Sequence, residues 1–280
     1  MTQPNDLQAA VDHYRGGRWR EAEAACRAIL ARDRKHCQAH YLLGILAQQS
    51  GNHQAAVEYF CQAATGDPKT AAYHVAWGDS LQALEQGAAA RRSYLRALEL
   101  DPGCIAAHYR LGQSLQASGE LAAAAVSFRE LLKHEPDHLE THNDLALVLR
   151  ASGDDHGAEQ LLRRAIELFP DFAAAHGNLG SLLHEHGQLD AAVAELERVT
   201  HLCPHLAPAH FNLANALRTA GDTQRALWHY RRAIELDTSM AAAYNNLGTL
   251  LQTLGDREQA ISALRSAVRL DERLVDAHLN

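Results

Sequence analysis

The chain repeats itself every 34 residues, and a period of that length without insertions confines it to stacked copies of one small unit. Gly44, Gly78, Gly112, Ala146, Gly180, Ala214 and Gly248 follow one another at that step. So do Ala22, Ala56, Ala90, Ala124, Ala158, Ala192, Ala226 and Ala260, with no substitution. Pro68, Pro102, Pro136, Pro170 and Pro204 make a third row. Gly17, Gly51, Gly119, Gly153, Gly187, Gly221 and Gly255 make a fourth, which Glu85 interrupts. With the first row set at position 8, copies begin at Gln3, Cys37, Ala71, Ile105, Leu139, Ala173, Ala207 and Ala241, and a ninth opens at Val275 and stops at its sixth residue.

Each row has a mechanical reason. Apolar residues at positions 7, 8 and 11, and again at 20, 24, 27 and 28, keep helical spacing, so each copy holds two amphipathic helices. Large side chains fill position 7 (Leu43, Trp77, Leu111) and position 24 (Phe60, Tyr94, Phe128). Positions 8 and 20 stay small because a larger side chain would push crossing helices apart. Gly at position 15 lets the chain turn through positive φ, and Pro at position 32 stops the second helix.

This pattern resembles the tetratricopeptide repeat family over residues 3–274. The resemblance implies an all-α fold: a right-handed superhelix, or α-solenoid, of antiparallel helix pairs at roughly positions 2–14 and 18–30, with a concave wall lined by the first helix of each pair. About eight repeats are expected: 3–36, 37–70, 71–104, 105–138, 139–172, 173–206, 207–240 and 241–274. The first departs from the pattern, with Asp6, Cys26 and Arg34 at positions 4, 24 and 32, as a capping repeat should. The unfinished copy at 275–280 carries no capping helix after it, as expected of a chain cut from a longer one or of a repeat whose next segment was lost.

Composition narrows the function. The net charge is −8, so no dense basic face is available for a phosphate backbone, and nucleic acid is not an expected partner. Five cysteines, Cys26, Cys37, Cys61, Cys104 and Cys203, show no C-x-x-C spacing, which predicts reduced thiols and a cytoplasmic setting. No apolar run reaches the roughly 20 residues of a membrane span.

Nothing in the sequence forms a catalytic constellation. There is no H-E-x-x-H, G-x-S-x-G, phosphate loop or EF-hand, so no enzyme, cofactor or metal site is expected. The 18 histidines are the one excess. His40, His74, His108, His142, His176, His210 and His278 share position 4 and read as a duplicated packing residue. Ligands on adjacent repeats would be ~10 Å apart, far beyond the ~2 Å of metal bonds. His201, Cys203 and His205, or His134, His138 and His142, do not make a four-ligand set.

In this family, positions 2, 5, 6, 9, 12 and 13 face the groove. Position 6 reads Asp144, Asn178, Asn212, Asn246 and Asn280, a carboxamide ladder in the C-terminal half. A carboxamide both donates and accepts, so it can grip the backbone of an extended peptide. Asn215 at position 9 and Arg150, His184, Arg218 and Gln252 at position 12 extend the polar wall. Chaperone-binding members instead clamp a carboxylate with Lys at position 5, and that position is never Lys here. Runs such as Ala174–Gly180 and Ala242–Gly248, with the asparagine ladder, are similar to the repeat region of O-linked N-acetylglucosamine transferases.

These features predict a non-catalytic scaffold that binds extended polypeptide in its groove. Two alternatives remain open. One is the substrate-recognition arm of a larger glycosyltransferase whose catalytic domain lies outside this chain. The other is a self-assembling scaffold joined through its uncapped last repeat.

Overall fold

In the computed structural model, residues 4–271 are described, so Gln3, the copy at 275–280 and the last rung, Asn280, lie outside them. The described residues form sixteen α-helices in consecutive pairs. These are α1 (Pro4–Arg15) and α2 (Trp19–Arg32), α3 (Cys37–Gln49) and α4 (His53–Gly66), α5 (Ala71–Ala83) and α6 (Gly87–Leu100), and α7 (Ile105–Ala117) and α8 (Leu121–His134). They continue as α9 (Leu139–Ala151) and α10 (Asp155–Leu168), α11 (Ala173–Glu185) and α12 (Leu189–Leu202), α13 (Ala207–Thr219) and α14 (Thr223–Leu236), and α15 (Ala241–Thr253) and α16 (Arg257–Leu270). From α3 onward the pairs occupy positions 1–13 and 17–30, so each helix starts one residue ahead of the expected boundary. In four copies position 16 caps the second helix: Asn52, Asp154, Asp222 and Asp256 each accept the backbone N–H three residues on, while α6, α8 and α12 start at the same position without a side-chain cap.

Turns between paired helices are Schellman motifs. In one, Gly119 N–H donates to Gln116 O at 3.0 Å and Glu120 N–H to Leu115 O at 2.9 Å. The glycine at position 15 has φ between 70° and 85° in all seven copies that carry it. Glu85 takes the same left-handed conformation at φ 60° without the freedom of glycine.

The core repeats as well. Every alanine at position 20 is buried, from Ala22 at 0% to Ala260 at 3% exposure. Position 8 lies under the ring or branched side chain of position 24. A β-carbon at Gly44 would sit 2.5 Å from Phe60, and one at Gly180 would sit 2.7 Å from Leu196. The small residue therefore admits a large side chain from the second helix as well as a close axis.

The chain divides into two compact units, Met1–Val148 and Leu149–Asn280. In the first, α1 packs against α2 and α2 against α3, and this order continues through α8. The second unit shows the same order from α10 through α16. Within each unit successive first helices also touch, as α3 does α5 and α11 does α13.

Histidine at position 4 does more than fill space. His40 Nε2–H donates to Arg34 O at 2.9 Å, His108 to Pro102 O at 2.9 Å, His142 to Pro136 O at 2.7 Å, His176 to Pro170 O at 2.9 Å and His210 to Pro204 O at 3.1 Å. Each ring pins the loop that precedes its helix by bonding the carbonyl at position 32. That carbonyl belongs to a linker with few other donors.

Candidate functional site on the first-helix face

Polar residues at positions 6, 9 and 12 lie on the first helices, and the structure joins many of them from one repeat to the next. In the second unit, Asn246 Nδ2 donates to Asn215 Oδ1 at 2.9 Å and Tyr230 O–H donates to the same oxygen at 2.6 Å. Asn245 Nδ2 reaches Asn246 Oδ1 at 3.4 Å. Burial pushes the Tyr230 phenol up, while Arg218 and Asn246 beside it oppose that shift. Asn246 is thus held in place by its neighbours.

Position 12 behaves similarly. Arg150 pairs with Glu185, and His184 Nε2 lies 2.9 Å from Thr219 Oγ1. Each contact runs from position 12 of one repeat to position 13 of the next. Arg218 and Gln252 are exposed, and Asn178 is half-buried. Asn212 is half-buried and, among the described residues, makes no hydrogen bond through its carboxamide. Of the predicted ladder, Asn212 has the greatest free capacity, flanked by the braced pair Asn215 and Asn246.

The first unit repeats the arrangement with charged groups. Asp144 accepts from Tyr109 O–H at 3.0 Å and from Gln113 Nε2 at 3.5 Å. Tyr109 is pushed up by burial and by Asp144. One repeat earlier, Arg110 Nε lies 3.2 Å from Asp79 Oδ1, and Tyr94 O–H donates to Asp79 Oδ1 at 2.9 Å. Burial raises the Asp79 carboxyl, and Arg110 and Tyr94 pull it down. Gln48 Nε2 donates to Ser80 Oγ at 2.8 Å, and Ser114 Oγ to Gln82 Oε1 at 3.3 Å.

These groups line a depression of about 530 Å³ whose walls include Gln48, Asp79, Gln82, Arg110 and Gln113. Sequence reasoning favours the C-terminal half for peptide contact, and this depression lies in the first unit, at the same repeat positions 6, 9 and 12. A signal for it exists: Asp79–Arg110, Gln113–Asp144 and Asn215–Asn246 are all 31 residues apart. The spacing recurs, but the residue type changes, so a row of identical residues does not reveal it. Among the described residues no group of three or more potential ligands could hold a metal ion.

The sequence matches tetratricopeptide repeat family models over residues 7–71, 75–138, 109–167, 143–207, 209–241 and 241–273. No curated protein sequence matches it. Among solved structures it is similar to a chain of the APC/C hetero-tetramer Cut9–Hcn1, at 17% identity and a TM-score of 0.65 over 93% of this chain. The chain spans about half the length of that relative, 51%. It is similar to PilF of Pseudomonas aeruginosa, at 19% identity and a TM-score of 0.66, covering 76% of this chain and 97% of the other. It also resembles YrrB, described as a repeat protein of this kind with an unusual peptide-binding site, at 24% identity and a TM-score of 0.57, over 67% of this chain and 96% of that one. At these identities the likeness is one of fold.

Proposed function

The chain belongs to the tetratricopeptide repeat family, and from that premise we propose that it is a protein-interaction scaffold that holds extended polypeptide along its first-helix face. The observation that carries this reading is the unengaged carboxamide of Asn212 beside the braced pair Asn215 and Asn246. An amide with both a donor and an acceptor to spare can bond a peptide group on each side. Neighbouring helices lie ~10 Å apart, and an extended chain advances ~3.3 Å per residue, so successive rungs meet about every third residue. Such contacts address the backbone and tolerate many side chains. The depression around Asp79 and Arg110 adds a charged contact in the first unit. The five cysteines are unpaired, which suits the cytoplasm as the proposed setting.

A peptide selected on the whole chain from a displayed library, labelled and followed by fluorescence anisotropy, tests the proposal. Asn212→Ala should weaken it by about 2- to 10-fold, the worth of one hydrogen bond, with the helical circular dichroism unchanged. Replacing Asn178, Asn212 and Asn246 together should cost more. Unaltered affinity in the triple variant would sink the reading.

A further inference from the structure

The outer face of the first unit breaks the pattern of its repeats. Position 18 is Gln54, His156, Asp190, Gln224 and Glu258 elsewhere, but Ala88 and Ala122 on α6 and α8. Position 25 is Arg129, Arg163, Glu197, Arg231 and Arg265 in later copies, but Leu95 on α6. Position 22 on α8 is Val126. Leu95 is 49% and Val126 57% exposed. Between these two helices runs an apolar groove of about 680 Å³, floored by α7 through His108, Leu111 and Leu115.

Position 23 is short beside this groove. In two later copies that position carries Glu195, which meets His176 Nδ1 at 2.6 Å, and His229, which meets His210 Nδ1 at 3.0 Å. On α8 it is Ser127, whose hydroxyl turns back to Ala123 O at 3.2 Å. His108 is 9% exposed, and its Nε2–H is committed to Pro102 O at 2.9 Å. That leaves its Nδ1 to accept, and like the Nδ1 atoms of His40 and His142 it has no partner and is closed off from solvent. By the geometry of His176 and His210 it is turned toward Ser127, so a donor reaches it only once an inserted side chain displaces what covers it.

We propose that this groove seats an amphipathic helix from a partner protein, one that inserts an aromatic side chain with a hydrogen-bond donor, such as tryptophan. Three observations select that occupant. The walls run from Ala88 to Leu98 and from Glu120 to Glu130, ten residue steps each and ~15 Å of helix, the reach of about three turns. Over that length the volume gives a cross-section of ~45 Å², room for a row of large side chains rather than one alkyl chain. The lips carry opposite charge: Arg91 and Arg92 on α6, Glu120 and Glu130 on α8. Arg91 already pairs with Glu120 and Glu130 with Lys133, while Arg92 has no ion-pair partner among the described residues. The fitting helix carries a carboxylate on the flank toward α6 and its base toward α8, with the indole N–H at His108.

The test uses the whole chain and two labelled 14-residue helical peptides. One has Leu, Trp and Leu on one face with Glu and Lys on opposite flanks; the other replaces Trp by Phe. The Trp peptide should bind saturably, and the Phe peptide several-fold more weakly. Leu95→Arg and Val126→Arg, both at exposed positions, should each weaken binding at least about tenfold. Ser127→His puts back the residue found at 229; it should abolish binding without lowering the melting temperature. No saturable binding of the Trp peptide would overturn the proposal, as would binding unchanged in both Val126→Arg and Ser127→His. Binding of a long-chain carboxylate in its place, blocked by Val126→Arg, would overturn it in favour of a small amphiphile.

Discussion

A β-carbon added at Gly112 would stand 2.5 Å from the Phe128 ring, whereas one added at Gly119 would meet nothing within 4 Å. The two glycines serve different ends. Gly112 makes room, and Phe128, fully buried, cannot retreat without opening its own packing. Gly112→Ala should destabilise by about 1–3 kcal/mol in chemical denaturation, the cost of overpacking. Gly119 supplies a backbone conformation, at φ 78°. Glu85 holds that conformation with a side chain attached, at a cost that glycine does not carry. Glu85→Gly should therefore raise the unfolding midpoint, by about 0.5–1 kcal/mol in stability. A fall would mean that the Glu85 side chain contributes something the backbone does not reveal.

Between helices, histidine ties loops to cores, and one pair carries a pH signature. His210 Nε2–H holds Pro204 O, and its Nδ1 meets His229 Nδ1 at 3.0 Å. Burial, then the neighbouring charges of His210 and Arg225, push His229 down to about 4, with Glu197 opposing. The unfolded chain, with His near 6.5, takes up this proton first, so its contribution to stability is intact above about pH 6.5 and lost as pH falls toward 4. The thermal midpoint should drop across that window, and His229→Gln should remove part of the drop. An unaltered profile in the variant would exclude this pair as a source. The elements themselves were legible because their causes are local: small residues at 8 and 20, a turn glycine at 15 and proline at 32 act on their own repeat. The loop ties were not. Histidine at position 4 reads as bulk until the carbonyl six residues back is seen beside it. The braces across 31 residues hid for a related reason, since Asp79–Arg110 and Asn215–Asn246 share geometry but no residue type. The asparagine row was visible, yet which members are already bonded depends on neighbours in the next repeat.

At the scale of the whole chain, the helices within each unit pack on their nearest neighbours in sequence, so stability is a sum of local terms and unfolding need not be all-or-none. Ala192 is fully buried at position 20 of α12, inside the second unit. Ala192→Leu adds a branched side chain where none fits and should cost about 1–3 kcal/mol. Amide hydrogen exchange shows where that cost is felt. Protection should fall in α11 to α13, the helix that bears residue 192 and the two that pack on it, while α3 to α8 exchange as in the unaltered chain. A uniform loss of protection from α3 to α16 would mean that the repeats unfold as one cooperative body and that stability is not a sum over neighbouring helices.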